Sequence, residues 1–215
     1  MIDRKLVIVG AGGHGRETAM ACQDSRNVPE ILGFLDDSGR ESTPEGWPII
    51  GPLEEAEKYK DECFVVAIND PRVRRSIVEK LTMIGVRHWQ TILHKSVQLH
   101  ESIKLGDGVI ILNDAVLTCS ITIGNHCILN RATQISHDCV IKDFCSLNPS
   151  AVLSGNVQVG NGCEIGSSSV IKQGIVVGEG AVIGLGAAVV KNVMADEIVV
   201  GVPAKTLKHK ECWTR

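Results

Sequence analysis

Two short stretches carry residue types that could do chemistry. His137 and Asp138 stand side by side. An imidazole beside a carboxylate is the arrangement of an oriented general base: the carboxylate fixes the tautomer, and a group titrating near pH 6.5 can accept a proton at neutral pH. Asn130 lies one repeat upstream and is expected on the same side. The second stretch is Gly10-Ala11-Gly12-Gly13-His14-Gly15, directly after the apolar run Leu6-Val7-Ile8-Val9. The spacing Gly10-x-Gly12-x-x-Gly15 between a strand and a helix, with Asp36 about twenty residues further on, matches the fingerprint in which glycines let the backbone approach a diphosphate at a helix N-terminus. Asp37 follows Asp36. A dinucleotide needs two such halves, and only about ninety residues are available here, so the stretch reads as half a Rossmann unit holding a nucleotide-linked ligand.

A period of six positions the first pair. From Leu99 to Val189 every sixth residue is a branched aliphatic, sixteen in succession. Six fits neither the helical period of 3.6 nor the strand period of 2, and it is the hexapeptide repeat of a parallel β-helix. The ladder works as a ruler. It turns Cys127, Cys139, Cys145 and Cys163 inward, where they act as small hydrophobes. It places His137 and Asp138 on an outward corner and faces Ser146 outward. His126 is a corner residue without a proton-transfer partner, His94 and His100 sit at the entrance of the coil, and His88 and His209 lie outside it. Outward apolar residues such as Val116, Ile128, Val140, Val152 and Val170 suggest that the prism packs against copies of itself, and a closed trimer fits a threefold prism.

The glycine loop needs a different scaffold. Strands are expected at 5–9, 30–35, 63–68 and 86–89, with helices from about His14 to Gln23, from Leu53 to Lys60 and from Asp70-Pro71 to about Ile84, ended by Gly85. Residues 38–52 read as loop and 90–96 as a hinge. The division is a small α/β domain over 1–90 and a β-helix domain over 91–215, ending in a strand and turn at Ile198–Lys205 and a polar tail from Leu207 to Arg215.

Bulk properties exclude several classes. The net charge is -3 with no basic run, which argues against nucleic acid as a partner. No apolar run approaches the eighteen residues of a membrane span, and the charged start from Met1 to Lys5 leads into a strand rather than a signal peptide. None of the eight cysteines pairs as CxxC, so no metal site is expected. Reduced thiols fit a cytoplasmic protein.

With these residues assembled, the chain resembles the sialic acid O-acetyltransferase family of hexapeptide acyltransferases, whose relatives include N-acetyltransferases acting on nucleotide-linked 4-amino-sugars. The resemblance runs over essentially the full length. It rests on Val7–Gly15, Gly33-Phe34-Leu35-Asp36-Asp37, Ile128-Leu129-Asn130, His137-Asp138-Cys139, Leu153–Val157 and Gly201-Val202-Pro203-Ala204-Lys205. It implies a left-handed β-helix assembled as a homotrimer, with acetyl-CoA between adjacent helices and the sugar nucleotide on the N-terminal domain. On that match Gly12, Gly13, His14, Asp36, Asp37 and Asn69 contact the substrate. His137 is the base, Asp138 orients it, and Asn130 joins the same catalytic site. The backbone N–H of Gly155 meets the acetyl oxygen, while Gly184, Gly186, Pro203 and Lys205 line the far end of the cofactor. Relatives often carry a second histidine nine residues after the base; here that position is Ser146, expected at the cofactor site.

The reading is acetyl transfer to the amine of a nucleotide-linked 4-amino-4,6-dideoxy sugar for surface glycans, with O-acetylation of sialic acid or a related sugar as the alternative. A zinc carbonic anhydrase is disfavoured because His100, His126 and His137 do not stack at eighteen-residue spacing. A non-catalytic scaffold would leave His137-Asp138 and the glycine loop unexplained.

Overall fold

The run Leu6-Val7-Ile8-Val9 forms β1 (Leu6–Val9), with all four residues buried. Both faces of a parallel sheet are covered, so its strands read as continuous apolar runs. The computed structural model describes residues 4–25 and 28–213. Around β1 it places α1 (Gly13–Gln23), β2 (Ile31–Leu35), β3 (Ile49–Gly51), β4 (Cys63–Val66), α2 (Pro71–Met83) and β5 (His88–Trp89). The sheet is parallel, in the order β3-β2-β1-β4-β5. The chain leaves β1 towards β2 on one side and reaches β4 on the other. The β1/β4 boundary is therefore a topological switch point, where a crevice opens at the carboxyl ends of the strands.

Several expected boundaries change. Residues 38–52 are not all loop, since Ile49–Gly51 forms the edge strand β3. The expected helix after it is a 3-10 turn, Leu53–Tyr59. The α2 helix starts as its sequence dictates: Asp70 caps it by accepting from the Arg72 and Val73 N–H groups at 2.8 and 3.1 Å, and Pro71 takes the first turn.

Residues 90–96 are no free hinge. Ile92–Leu93, β6, already pairs with Ile110–Ile111. Fifteen two-residue strands follow, from β7 (Lys104–Leu105) to β21 (Ala188–Val189), each pairing in parallel with strands eighteen residues away. They build the three faces of a left-handed parallel β-helix. Face I includes Ile110–Ile111, Ile128–Leu129 and Ser146–Leu147; face II includes Val116–Leu117 and Gln134–Ile135; face III includes Thr122–Ile123 and Val140–Ile141. At the corners every sixth residue from Gly108 to Gly186 has a positive φ. This left-handed step costs a non-glycine residue about 1–2 kcal/mol, and the packed ladder sustains it.

The ladder residues from Ile111 to Val189 are all buried, whereas Leu99, at the open end, is 37% exposed. Cys127, Cys145 and Cys163 form one inward column, donating to the carbonyls of Lys142, Gly160 and Gly178 at 3.0, 2.9 and 3.0 Å. Burial pushes the Cys127 and Cys145 thiols well above their ordinary range.

The two scaffolds share a core. Leu6, Ile8, Ala19, Phe34 and Val65 pack with Ile92, Ile110, Leu112 and Ile128 of the coil. Ile128, expected on an open face, is therefore covered by the N-terminal domain. Val116, Val140, Val170 and Val176 on faces II and III do stand 39–54% exposed.

The end of the chain is more ordered than a polar tail. β22 (Glu197–Val200) extends face I, β23 (Lys205–His209) returns antiparallel to it, and Trp213 is 4% exposed beneath the Arg72 and Arg75 guanidinium groups. Residues 214–215, like 1–3 at the charged start, lie outside the described residues.

Candidate functional site

The His137 corner lies between faces II and III. Its Nδ1 is 2.8 Å from Asp138 Oδ2, with both side chains about half exposed. The carboxylate fixes a proton on Nδ1, which leaves the lone pair on Nε2. A side chain at Gly155, one coil further on, would meet the His137 ring at 2.5 Å from Cε1 and 2.6 Å from Nε2. Glycine there is what lets the imidazole lie against the coil. The Asn156 N–H donates to the His137 carbonyl at 2.8 Å, so this backbone is fixed beneath the ring.

Asn130 is not beside His137. It stands at the corner between faces I and II, 7% exposed, its Oδ1 accepting the Arg131 N–H at 2.9 Å. The two residues project from successive corners of the prism. Gly184 and Gly186 belong to the Asn130 corner, where Gly184 packs against Val200 and Gly186 faces open space. The Pro203–Lys205 turn lies over the same end of the coil, with Ala204 N–H bonded to the Ala188 carbonyl at 2.8 Å.

The glycine loop occupies the switch point. Gly15 is dictated by packing, since a Cβ there would sit 1.8 Å from the Gly10 carbonyl oxygen. Gly12 and Gly13 are different: a Cβ at either would touch nothing within 4 Å. Their bareness leaves the N-terminus of α1 open, with its backbone donors and helix dipole available to an anion. Asp36 shapes this loop, its carboxylate accepting the Ala11 N–H at 2.7 Å and the Ser38 N–H at 3.0 Å. Asp37 accepts the Leu53 N–H at 2.8 Å. Both aspartates are thus engaged with backbone donors at the mouth of the crevice.

His14, in the first turn of α1, and Asn69, on the loop after β4, flank the crevice. Among the described residues both ring nitrogens of His14 and the Oδ1 of Asn69 are buried without a hydrogen-bond partner, the Glu17 carboxylate standing 3.9 Å from His14 Nδ1. A buried polar atom left unpaired costs roughly 1–3 kcal/mol, so these atoms are suited to a ligand that pairs them. Burial, before the weaker effects of Glu17 and Arg74, pushes His14 down to about 4. It is therefore neutral at pH 7, one nitrogen a donor and the other an acceptor.

Ser146 corrects an expectation. It faces out of the coil but is fully buried under the N-terminal domain, donating to the Asn69 carbonyl at 2.6 Å and accepting from Arg74 Nη2 at 3.0 Å. Its hydroxyl is committed to the domain junction and is not presented to a cofactor on the outside.

Arg74 escaped sequence reasoning. It is 1% exposed, and its Nε and Nη atoms reach the carbonyls of His126, Ile68, Asn69, Phe144 and Cys145. The signal was present: Pro71, Arg74, Val78 and Leu81 share the buried stripe of α2, and a charge on such a stripe is an anomaly. His126 is 6% exposed between Trp89 and Phe144, and burial lowers it to about 4. Among the described residues no group of three or more His, Cys, Asp or Glu side chains is poised to hold a metal. No described helix is long and apolar enough to cross a membrane.

Comparisons with known proteins point one way. Residues 5–81 match the model of the PglD N-terminal domain, and residues 138–173 that of the bacterial transferase hexapeptide. Among solved structures, the acetyltransferase domain of PglB from Neisseria gonorrhoeae, in complex with acetyl coenzyme A, is 31% identical, with TM-score 0.89 over 95% of this chain and 100% of that one. WeeI from Acinetobacter baumannii is 30% identical over the same shares, with TM-score 0.84. A mutant of perosamine N-acetyltransferase from Caulobacter crescentus, in complex with CoA and GDP-perosamine, is 26% identical over 95% and 97%, with TM-score 0.86. Uncharacterized protein L142 of Acanthamoeba polyphaga mimivirus is 28% identical over 103 residues, 48% of this chain but only 20% of that protein's length.

Proposed function

The chain belongs to the nucleotide-amino-sugar acetyltransferase family of hexapeptide-repeat proteins, and on that premise we propose that it transfers the acetyl group of acetyl-CoA to the amine of a nucleotide-linked 4-amino-4,6-dideoxy sugar. The observation that carries this reading is the His137–Asp138 pair, 2.8 Å apart on an exposed corner above Gly155. His137 Nε2 takes a proton from the amine as its nitrogen attacks the thioester carbonyl. The Gly155 N–H stabilises the negative charge that develops on the acetyl oxygen. Collapse breaks the carbon–sulfur bond, and the departing CoA sulfur takes the proton from His137.

The domain over 1–90 holds the acceptor. The open N-terminus of α1 suits its diphosphate, while Gly12, Gly13, His14, Asp36, Asp37 and Asn69 surround the crevice. The domain over 91–215 holds acetyl-CoA, with Gly184, Gly186, Pro203 and Lys205 towards its far end. Asn130 and His137 stand on different corners of one prism, so the two share a site only where neighbouring chains meet. Exposed valines on faces II and III support that packing. The assembly is a homotrimer in which one chain supplies His137 and the next supplies Asn130 and the acceptor domain. Reaction in the cytoplasm would feed surface-glycan synthesis.

A thiol-release assay with acetyl-CoA against UDP-, dTDP- and GDP-linked amino sugars and free sialic acid tests the reading. Release with at least one nucleotide amino sugar, giving an N-acetyl product, is expected. Release with sialic acid alone would transfer the reading to O-acetylation, and release with none would refute it.

A further inference from the structure

Among the described residues no carboxylate hydrogen-bonds the buried guanidinium of Arg74. A charge taken out of water costs several kcal/mol unless hydrogen bonds of good geometry satisfy it. Here the bonds divide between two bodies. Nη1 holds the carbonyls of Ile68 and Asn69, the loop after β4, at 2.5 and 2.9 Å. Nε and Nη2 hold the His126, Phe144 and Cys145 carbonyls and Ser146 Oγ of the coil, at 2.7–3.2 Å. Ser146 closes the clamp by donating to the Asn69 carbonyl.

This clamp delivers Asn69 to the coil. Its Nδ2 donates to Asn148 Oδ1 at 3.0 Å, while its own Oδ1 stays buried and unpaired. Asn148 occupies the same corner column as Asn130, eighteen residues on, and the Asn130 N–H bonds the Leu147 carbonyl beside it. Among the described residues the Asn148 side-chain amide otherwise makes only a long contact, 3.4 Å, to Glu164.

We propose that Arg74 is a positioning residue that seats Asn69 on Asn148, so that the two amides form one polar edge orienting the acceptor sugar beside Asn130. The unpaired Asn69 Oδ1 calls for a hydroxyl or amine donor from that sugar. This inference rests on the acceptor reading given above, and it adds Asn148 as a substrate-contacting residue and Arg74 as the group that acts through Asn69.

The test uses the full-length assembly with Asn148→Ala, Arg74→Met and Arg74→Lys. Removing the pair raises KM for the nucleotide sugar about tenfold or more, from the buried groups left unpaired. KM for acetyl-CoA stays within about twofold, because Arg74 is buried at the domain junction and Asn148 lies two coils from Gly184 in the same column. Lysine, with the charge but not the fork, does not rescue. Equal changes in both KM values, or a lowered melting temperature with unchanged KM, would overturn the proposal. Amide hydrogen exchange over residues 66–72 reads the clamp without any substrate. Faster exchange there in Arg74→Met, with the coil unchanged, supports it, and unchanged exchange sinks it. An enzyme silent on every amino sugar would refute the function while leaving this second measurement decisive for the clamp.

Discussion

At His137 the fold leaves little freedom. Asp138 takes one ring nitrogen, Gly155 lies against the ring, and the remaining nitrogen is left for a proton. Replacing His137 by alanine should lower kcat at least about 100-fold, the usual worth of a general base, while acetyl-CoA binding measured by calorimetry persists. Near-normal turnover would remove His137 from the mechanism. Gly155→Ala is a subtler probe. Its Cβ would lie 2.5 Å from His137 Cε1, so the ring must shift, and a misplacement of about 1 Å costs on the order of 100-fold in rate. Steady-state kinetics should show kcat falling with KM for the nucleotide sugar little changed. Ser146 is the residue whose role was hardest to foresee. Its spacing identified the outward side correctly, but nothing local to position 146 records that a second domain covers it.

Elements differ in how much of themselves the sequence exposes. The coil was legible because its rule is local: one aliphatic in six packs inward and a left-handed residue turns each corner, from Gly108 to Gly186. β3 was hidden because three residues, Ile49–Gly51, are too few to establish a period. The docking of the N-terminal domain was hidden because Ile110 and Ile128 look like any outward apolar residue until Leu6, Ile8 and Phe34 cover them. Arg74 could have been flagged by its place on the buried stripe of α2, and Asn148 by its eighteen-residue offset from Asn130. His14 and His126 give these elements a pH dependence. Burial holds both at about 4, below the unfolded value of 6.5. The unfolded chain therefore binds more protons between those values, and stability is full above pH 6.5 and falls as pH drops towards 4. Unfolding free energies from urea titrations should decline between pH 7 and 5, by about 1–2 kcal/mol for each histidine. His126→Phe should flatten its share, and an unchanged slope in that variant would exclude His126 as a source.

The whole molecule is where the chemistry is completed. One chain has a crevice at the β1/β4 switch point, with Asn130 and Asn148 on the adjoining corner, and His137 on the next corner round the prism. On the proposed reading these halves complement each other between chains. The N-terminal domain is seated rigidly enough for this, through the shared core around Ile110 and Ile128 and the Arg74 clamp. The most direct measurement is complementation. Chains carrying His137→Ala and chains carrying Asn130→Ala, each impaired alone, are refolded together in equal amounts and assayed for thiol release. In a cyclic trimer every mixed assembly restores one complete site, so about a quarter of wild-type activity should return. Activity no higher than the sum of the two separate variants would contradict a site shared between chains.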